Sequence, residues 1–259
     1  MKPIKTFRHF LRTWGTVYLT GFLLLSCIKV YYGKAGSDSL LWLLAPAAWW
    51  TKALSGLSFE YVPQIGYVNH SCQFIIAASC SGAQFMILSA AMLIFSFTHW
   101  MNTRRQGFLW LGVSLGGSYL YTIFINGIRI LLSIRVPLYL QKTGFLRALD
   151  GRLDSGQVHT IIGTAVFFSS LFPLYAAAEQ AARKISVSPP AKSAQSLYPA
   201  LWYFAVVLGL PFLSLACRNR LQAFIPYALV ICMVCVPVLL LQLLPAVIQK
   251  AIHKKIHKK

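Results

Sequence analysis

Three side chains of this chain have the types to do chemistry together: the thiol of Cys80, the guanidinium of Arg129 and the imidazole of His159. A cysteine attacks only as its thiolate, and a nearby cation or a helix N-terminus makes the thiolate easier to form. An imidazole can take the thiol proton and return it to a leaving group. A guanidinium can steady the thiolate, or the oxyanion of a tetrahedral intermediate. Such a set needs neither a metal nor a cofactor. The three residues are far apart in sequence, so everything depends on whether the elements that carry them meet.

Cys80 lies at the start of the apolar stretch Ser79–Trp100, SCSGAQFMILSAAMLIFSFTHW, which is long enough to cross a hydrocarbon core of about 30 Å. Arg104 and Arg105 follow it, a charge pair of the kind that stays cytoplasmic. That polarity predicts Cys80 at the outer rim of a membrane, with Ser79 as N-cap and Cys80 in the first helical turn, where free N–H groups favour a thiolate. Phe108 to about Ile125 reads as the next span, leading outward to Asn126 and Arg129. Val158 to Ala178 reads as a span running inward again, with His159 at its start. On this reading all three residues reach one membrane face.

Composition agrees with membrane residence. Hydrophobic residues make up 57% of the 259-residue chain and charged residues 11%, too few to cover a water-facing surface. The expected fold is an all-α polytopic bundle of about six transmembrane helices with short interfacial or re-entrant segments. The formal net charge of +19 argues for anionic membrane lipids as partners and against nucleic acid, because Lys and Arg cluster between the apolar runs.

Taken in order, the chain opens with a basic flank and a first span from Trp14 to about Tyr32. Ser39–Leu54, short and tryptophan-rich, suits an interfacial or re-entrant helix. Residues 55–78 suggest a hairpin-like outer segment. Ile130–Leu140, interrupted by Arg135 and Pro137, is too short to cross and is expected near the outer surface. Gln141 to Gln157, with Asp150 and Asp154, forms an outer loop. Glu179 to Ser196 reads as a flexible cytoplasmic linker. Two last spans, about Leu197–Cys217 and Leu221–Leu244, are joined by Arg218-Asn219-Arg220, and a basic tail ends the chain. A modest excess of Lys and Arg on one side favours six spans with both termini cytoplasmic.

Each residue also has a plainer use. Arg129 could snorkel to lipid headgroups, and an interfacial histidine is often structural. Gln84, one turn below Cys80 on the same face, could shape a substrate pocket or bond a neighbouring helix. Asn126 could hold the guanidinium of Arg129 or make an ordinary interhelical hydrogen bond. Gly163 reads mainly as a packing position. Cys72 and His70 lie in the outer segment, and a Cys72–Cys80 disulfide would consume the nucleophile. Cys232 and Cys235 form a C-x-x-C inside an apolar run, without the further donors a metal site needs.

The ordered set Ala78-Ser79-Cys80-Ser81-Gly82, Asn126-x-x-Arg129-Ile130 and His159-x-x-x-Gly163 resembles the three signatures of the exosortase/archaeosortase family. The resemblance spans roughly residues 60–178. It implies a membrane-embedded cysteine protease or transpeptidase with Cys80, Arg129 and His159 as catalytic residues. Its partners would be exported proteins that end in a short motif, a transmembrane helix and a basic tail. It also implies the cytoplasmic (inner) membrane, with an outward-facing site. Many members continue the cysteine motif with Gly-Leu and a polar or basic residue, where this chain has Ala83-Gln84-Phe85. The expected organisation is a catalytic membrane domain over 1–180, a linker over 181–198 and a two-helix extension over 199–259. A non-enzymatic component of an envelope polysaccharide or secretion assembly is the competing reading. A transporter is disfavoured by the scarcity of midplane charge.

Overall fold

The computed structural model describes residues 3–143, 155–187, 197–217, 222 and 224–256. The loop with Asp150 and Asp154, the SPPAKSAQS tract and Arg218–Arg220 lie outside the described residues. Six helices are long and apolar enough to cross a membrane, and the protein is an all-α, multi-pass membrane bundle carrying one small sheet.

The bundle is organised around α3 (Ala83–Phe97), flanked by 3-10 turns at Ala78–Cys80 and Thr98–Trp100. In the most apolar part of this span 78% of residues are buried, against at most 39% in any other. Ser89, Ala90 and Ala91 are all buried on it, and such small side chains let neighbouring helices approach closely. At its far end Phe97 is fully buried, its ring 5.0 Å from that of Trp100 and 4.9 Å from that of Tyr175.

Around α3 stand α1 (Pro3–Lys34), α4 (Arg104–Lys142) and α5 (Ser155–Ile185). The rod α6 (Tyr198–Phe204), a π-turn (Ala205–Gly209) and α7 (Leu210–Cys217) follow, then α8 (Phe224–Ile256). The π-turn has a local cause. Pro211 has no N–H to give the carbonyl of Val207 four residues back, and its ring crowds that carbonyl. The Tyr227 hydroxyl of α8 donates to it instead, at 3.0 Å, which ties the two last spans together.

Several sequence expectations are revised. α4 is one helix of 39 residues, roughly 58 Å at 1.5 Å per residue, so Ile130–Leu140 is its continuation and Arg129 lies within it. Pro137 sits inside that helix without ending it. Glu179–Ile185 is not linker but the last turns of α5. There Ala182 is fully buried, and Arg183 bonds Glu179 at 2.7 Å while its guanidinium lies 5.4 Å from the Trp100 ring centre. The last helix runs past Leu244 to Ile256. The tryptophan-rich segment is the fifteen-residue α2 (Leu41–Ser55). It packs on α4, where the Trp50 ring fills the space left by Gly127.

Residues 55–78 form a three-stranded antiparallel sheet rather than a hairpin: β1 (Glu60–Val62), β2 (Gly66–Asn69) and β3 (Phe74–Ile76), in that order. The turn between α1 and α2 fastens it. Asp38 accepts from the Tyr61 hydroxyl at 2.7 Å and the Gln64 amide at 2.8 Å. These two bonds, Tyr61 first, hold the Asp38 carboxyl below the usual carboxylate range. Ser37 donates to the Ile65 carbonyl at 2.9 Å and accepts from the Ala78 amide at 3.2 Å. One serine thus fixes both the sheet and the turn that carries Cys80. The opposite end of the bundle is tied by Asn102, which bonds the Ile185 carbonyl at 2.8 Å.

Candidate active site

The Cys80 turn is positioned by its own backbone and by α4. Cys80 does not occupy the first turn of α3, as the sequence suggested. It closes the preceding 3-10 turn, and its N–H is spent on the Ala77 carbonyl at 2.8 Å. The N-cap is Gly82, not Ser79, at φ +75° in the left-handed region that glycine takes without strain. A Cβ there would stand 3.0 Å from Thr122 and 3.2 Å from Asn126 of α4. The bare glycine therefore lets the turn lie directly on α4, where Asn126 Nδ2 donates to the Cys80 carbonyl at 2.7 Å. Because Cys80 precedes the helix and its amide is engaged, the cation beside it matters more than the α3 N-terminus.

That cation is Arg129. It faces the interior of the bundle, 7% exposed, and does not reach for headgroups. Nη2 donates to His159 Nε2 at 2.7 Å and Nη1 donates to Asn126 Oδ1 at 3.3 Å. The guanidinium carbon lies 5.2 Å from the centre of the Phe167 ring, a cation–π contact. Nε is buried without a hydrogen-bond partner. Among the described residues no carboxylate pairs with this arginine; the two ion pairs are His70–Glu60 and Arg183–Glu179. A buried cation without a counter-charge is costly unless an anion is supplied to it.

Gly163 is what admits the guanidinium. A Cβ at this position of α5 would lie 2.9 Å from Arg129 Nε, so the glycine serves a side chain rather than helix packing. Gly163→Ala separates geometry from stability. In a helix interior alanine is favoured over glycine by about 1 kcal/mol, so the protein should insert and melt normally. The guanidinium, being the flexible partner, must move by some tenths of an ångström. If these groups do chemistry, a misplacement of about 1 Å would cost on the order of 10²-fold, and this smaller shift several-fold. Under a catalytic role for Arg129, a several-fold drop in rate with no fall in detergent melting temperature is the expected result.

Cys80 Sγ lies 3.8 Å from His159 Nε2 and 4.0 Å from Ser79 Oγ. Nε2 accepts from Arg129, which assigns the neutral imidazole with its proton on Nδ1. The Phe74 ring of β3 sits 6.0 Å from the imidazole, centre to centre, so the sheet packs beside the site. Nε2 has one lone pair, and two donors face it. In this arrangement Arg129 holds it and the thiol waits.

Arg129, His159, Gly163 and Gln84 line a cavity of about 360 Å³, and Ser79 and Gly82 bring the Cys80 turn to its wall. Gln84 is exposed on that wall. The remaining polar candidates lie elsewhere. Cys72 donates its thiol hydrogen to Asn69 at 2.9 Å, and His70 faces Glu60 at 3.8 Å in an exposed pair.

The sequence reading passed over Tyr32 of α1 and Tyr203, Val207, Tyr227 and Ile231 of the last two spans, all of which line the same cavity. The available signal was an aromatic residue with a polar tip within an apolar run, but only tertiary packing says which such residues turn inward. No family model, curated protein or solved structure matches the chain.

Proposed function

We propose that this protein is a membrane-embedded cysteine peptidase or transpeptidase of the exosortase/archaeosortase kind. It removes a C-terminal sorting signal from exported proteins at the outer face of the cytoplasmic membrane. The observation that carries the reading is the buried Arg129, with no carboxylate partner among the described residues, beside a thiol and an imidazole. A site of this kind requires an anion, and acyl transfer through a thiolate generates one twice.

The distances suit the following steps. The substrate carbonyl enters beside Arg129 and draws Nη2 off His159. The freed lone pair of Nε2 takes the thiol proton, and the sulfur attacks the carbonyl carbon. The tetrahedral oxyanion is held by the guanidinium, whose Nε, buried and unpartnered, is a ready donor. His159 returns the proton to the leaving amine as the peptide bond breaks, leaving a thioester on Cys80. Water, or an amine on an acceptor, then attacks the thioester and regenerates the thiol. Asn126 keeps the attacking turn and the guanidinium in register through its bonds to both. The substrates are exported proteins ending in a short motif, a membrane helix and a basic tail, and both termini of the enzyme are cytoplasmic.

His159 tests the base role directly. Proton transfer by a positioned side chain contributes on the order of 10²–10⁴-fold, so His159→Ala should slow tail removal by that factor while the protein stays in the membrane. Tail removal is read as the mass loss of a tailed exported protein in native-host membranes. Wild-type rates in His159→Ala would sink the assignment.

A further inference from the structure

The cavity does not stop at the reacting groups. It follows α5 from His159 through Gly163 and Thr164 to Phe167, a descent of about 12 Å at 1.5 Å per residue. Further lining comes from α3, with Gln84, Phe85 and Leu88, and from the last two spans: Tyr203 and Val207 from the α6–α7 rod, and Tyr227 and Ile231 from α8. The Tyr227–Val207 bond fixes the last two spans to each other. These spans lie outside the stretch that carries the three motifs, yet without them the cavity would open to lipid.

In a helix each interior carbonyl is already bonded to an N–H four residues on, so the carbonyl to be attacked must leave its helix first, and the segment that continues from it into this cavity of about 360 Å³ enters unwound. An unwound backbone at membrane depth must find hydrogen-bond partners in protein. Polar groups stand among the apolar lining: the Gln84 amide, the Thr164 hydroxyl, the Tyr203 phenol and the Tyr227 oxygen, which can still accept while its hydrogen goes to Val207.

We propose that this lower cavity is the subsite for the leaving segment: the first, unwound residues of the substrate's own membrane helix, just past the scissile bond. The inference rests on the peptidase reading, in which the chain beyond the cleaved bond must continue into the membrane. Ile231, Val207 and the two tyrosines then set which apolar side chains are accepted. The C-terminal helix pair is the specificity-determining part of the enzyme.

Photocrosslinking of the full-length protein in native-host membranes tests this. p-Benzoylphenylalanine is introduced at Ile231, inside the cavity, and separately at Met233, which is 72% exposed on the same helix. Each is combined with Cys80→Ala to hold uncleaved substrate. Adducts at 231 should map by mass spectrometry to the first residues of an apolar segment followed by a basic tail, and adducts at 233 to lipid. In the active enzyme, Ile231→Ala should shift the preference between tails with small and bulky residues at those positions by about tenfold or more.

Phospholipid adducts alone at 231, or none, alongside Cys80-dependent tail removal would overturn the subsite and leave the peptidase reading intact. An unchanged preference in Ile231→Ala would also overturn the subsite. Tail removal that persists in Cys80→Ala would overturn the peptidase reading, and the subsite with it.

Discussion

On the proposed function, Cys80→Ala and Cys80→Ser are each expected to abolish tail removal, by on the order of 10⁴-fold or more, as loss of a nucleophile does in acyl-transfer enzymes. The protein should remain inserted at wild-type levels. Cys80 is small, and its Sγ makes only the 3.8 Å and 4.0 Å contacts to His159 and Ser79. The bond that holds the turn to α4 runs through the Cys80 carbonyl, which both variants keep. Serine offers an oxygen of far higher pKa, which the same imidazole cannot activate to the same degree. Cys72→Ala should be mild, since that thiol bonds Asn69 in the sheet. A membrane-impermeant maleimide applied from outside should modify Cys80 and block tail removal. A dispensable Cys80 with an essential Cys72, or modification of Cys80 only from the cytoplasmic side, would refute the assignment or its sidedness.

Arg129→Lys should be nearly as inactive as Arg129→Ala, both losing on the order of 10²–10³-fold, the usual cost of removing an oxyanion donor. The guanidinium binds His159 Nε2 at 2.7 Å and Asn126 Oδ1 at 3.3 Å through different nitrogens and keeps Nε free. Only a planar fork addresses three directions at once. A lysine ammonium is a point charge on a flexible stem and sheds its proton readily when buried. If Arg129 served as a charge near headgroups, lysine would restore most of the activity, because either side chain can snorkel. The burial of Arg129 at 7% exposure argues for directed donors. The decisive comparison is the tail-removal rate of the two variants at matched membrane levels. Recovery by lysine to within a few-fold of wild type would overturn the donor role.

Much of this could be read from the residues in order. Apolar runs of spanning length identify membrane helices with little context, because the bilayer imposes both length and internal hydrogen bonding. The same reasoning failed at boundaries. Pro137 and Arg135 looked like a break in α4, but the helix runs through them to Lys142, past its last buried residues, Ser133 and Ile134. Glu179 to Ser196 looked like linker because of its SVSPPAKSAQS tract, yet Glu179–Ile185 is helical, supported by the Glu179–Arg183 pair and the Trp100 contact. Ser79 looked like a cap, yet Gly82 holds that position through a backbone angle that no composition rule reveals.

The sequence by itself determined that this is a helical membrane protein and nominated a thiol, a guanidinium and an imidazole, because hydropathy and residue chemistry are properties of single segments. Tertiary structure alone decided that the three side chains lie within bonding range, that Gly163 makes room for Arg129 and that the last two spans wall the cavity. Those facts depend on which faces of separate helices meet. That choice is made by the packing of Phe97, Phe168 and their neighbours across the whole bundle, and no segment encodes it alone.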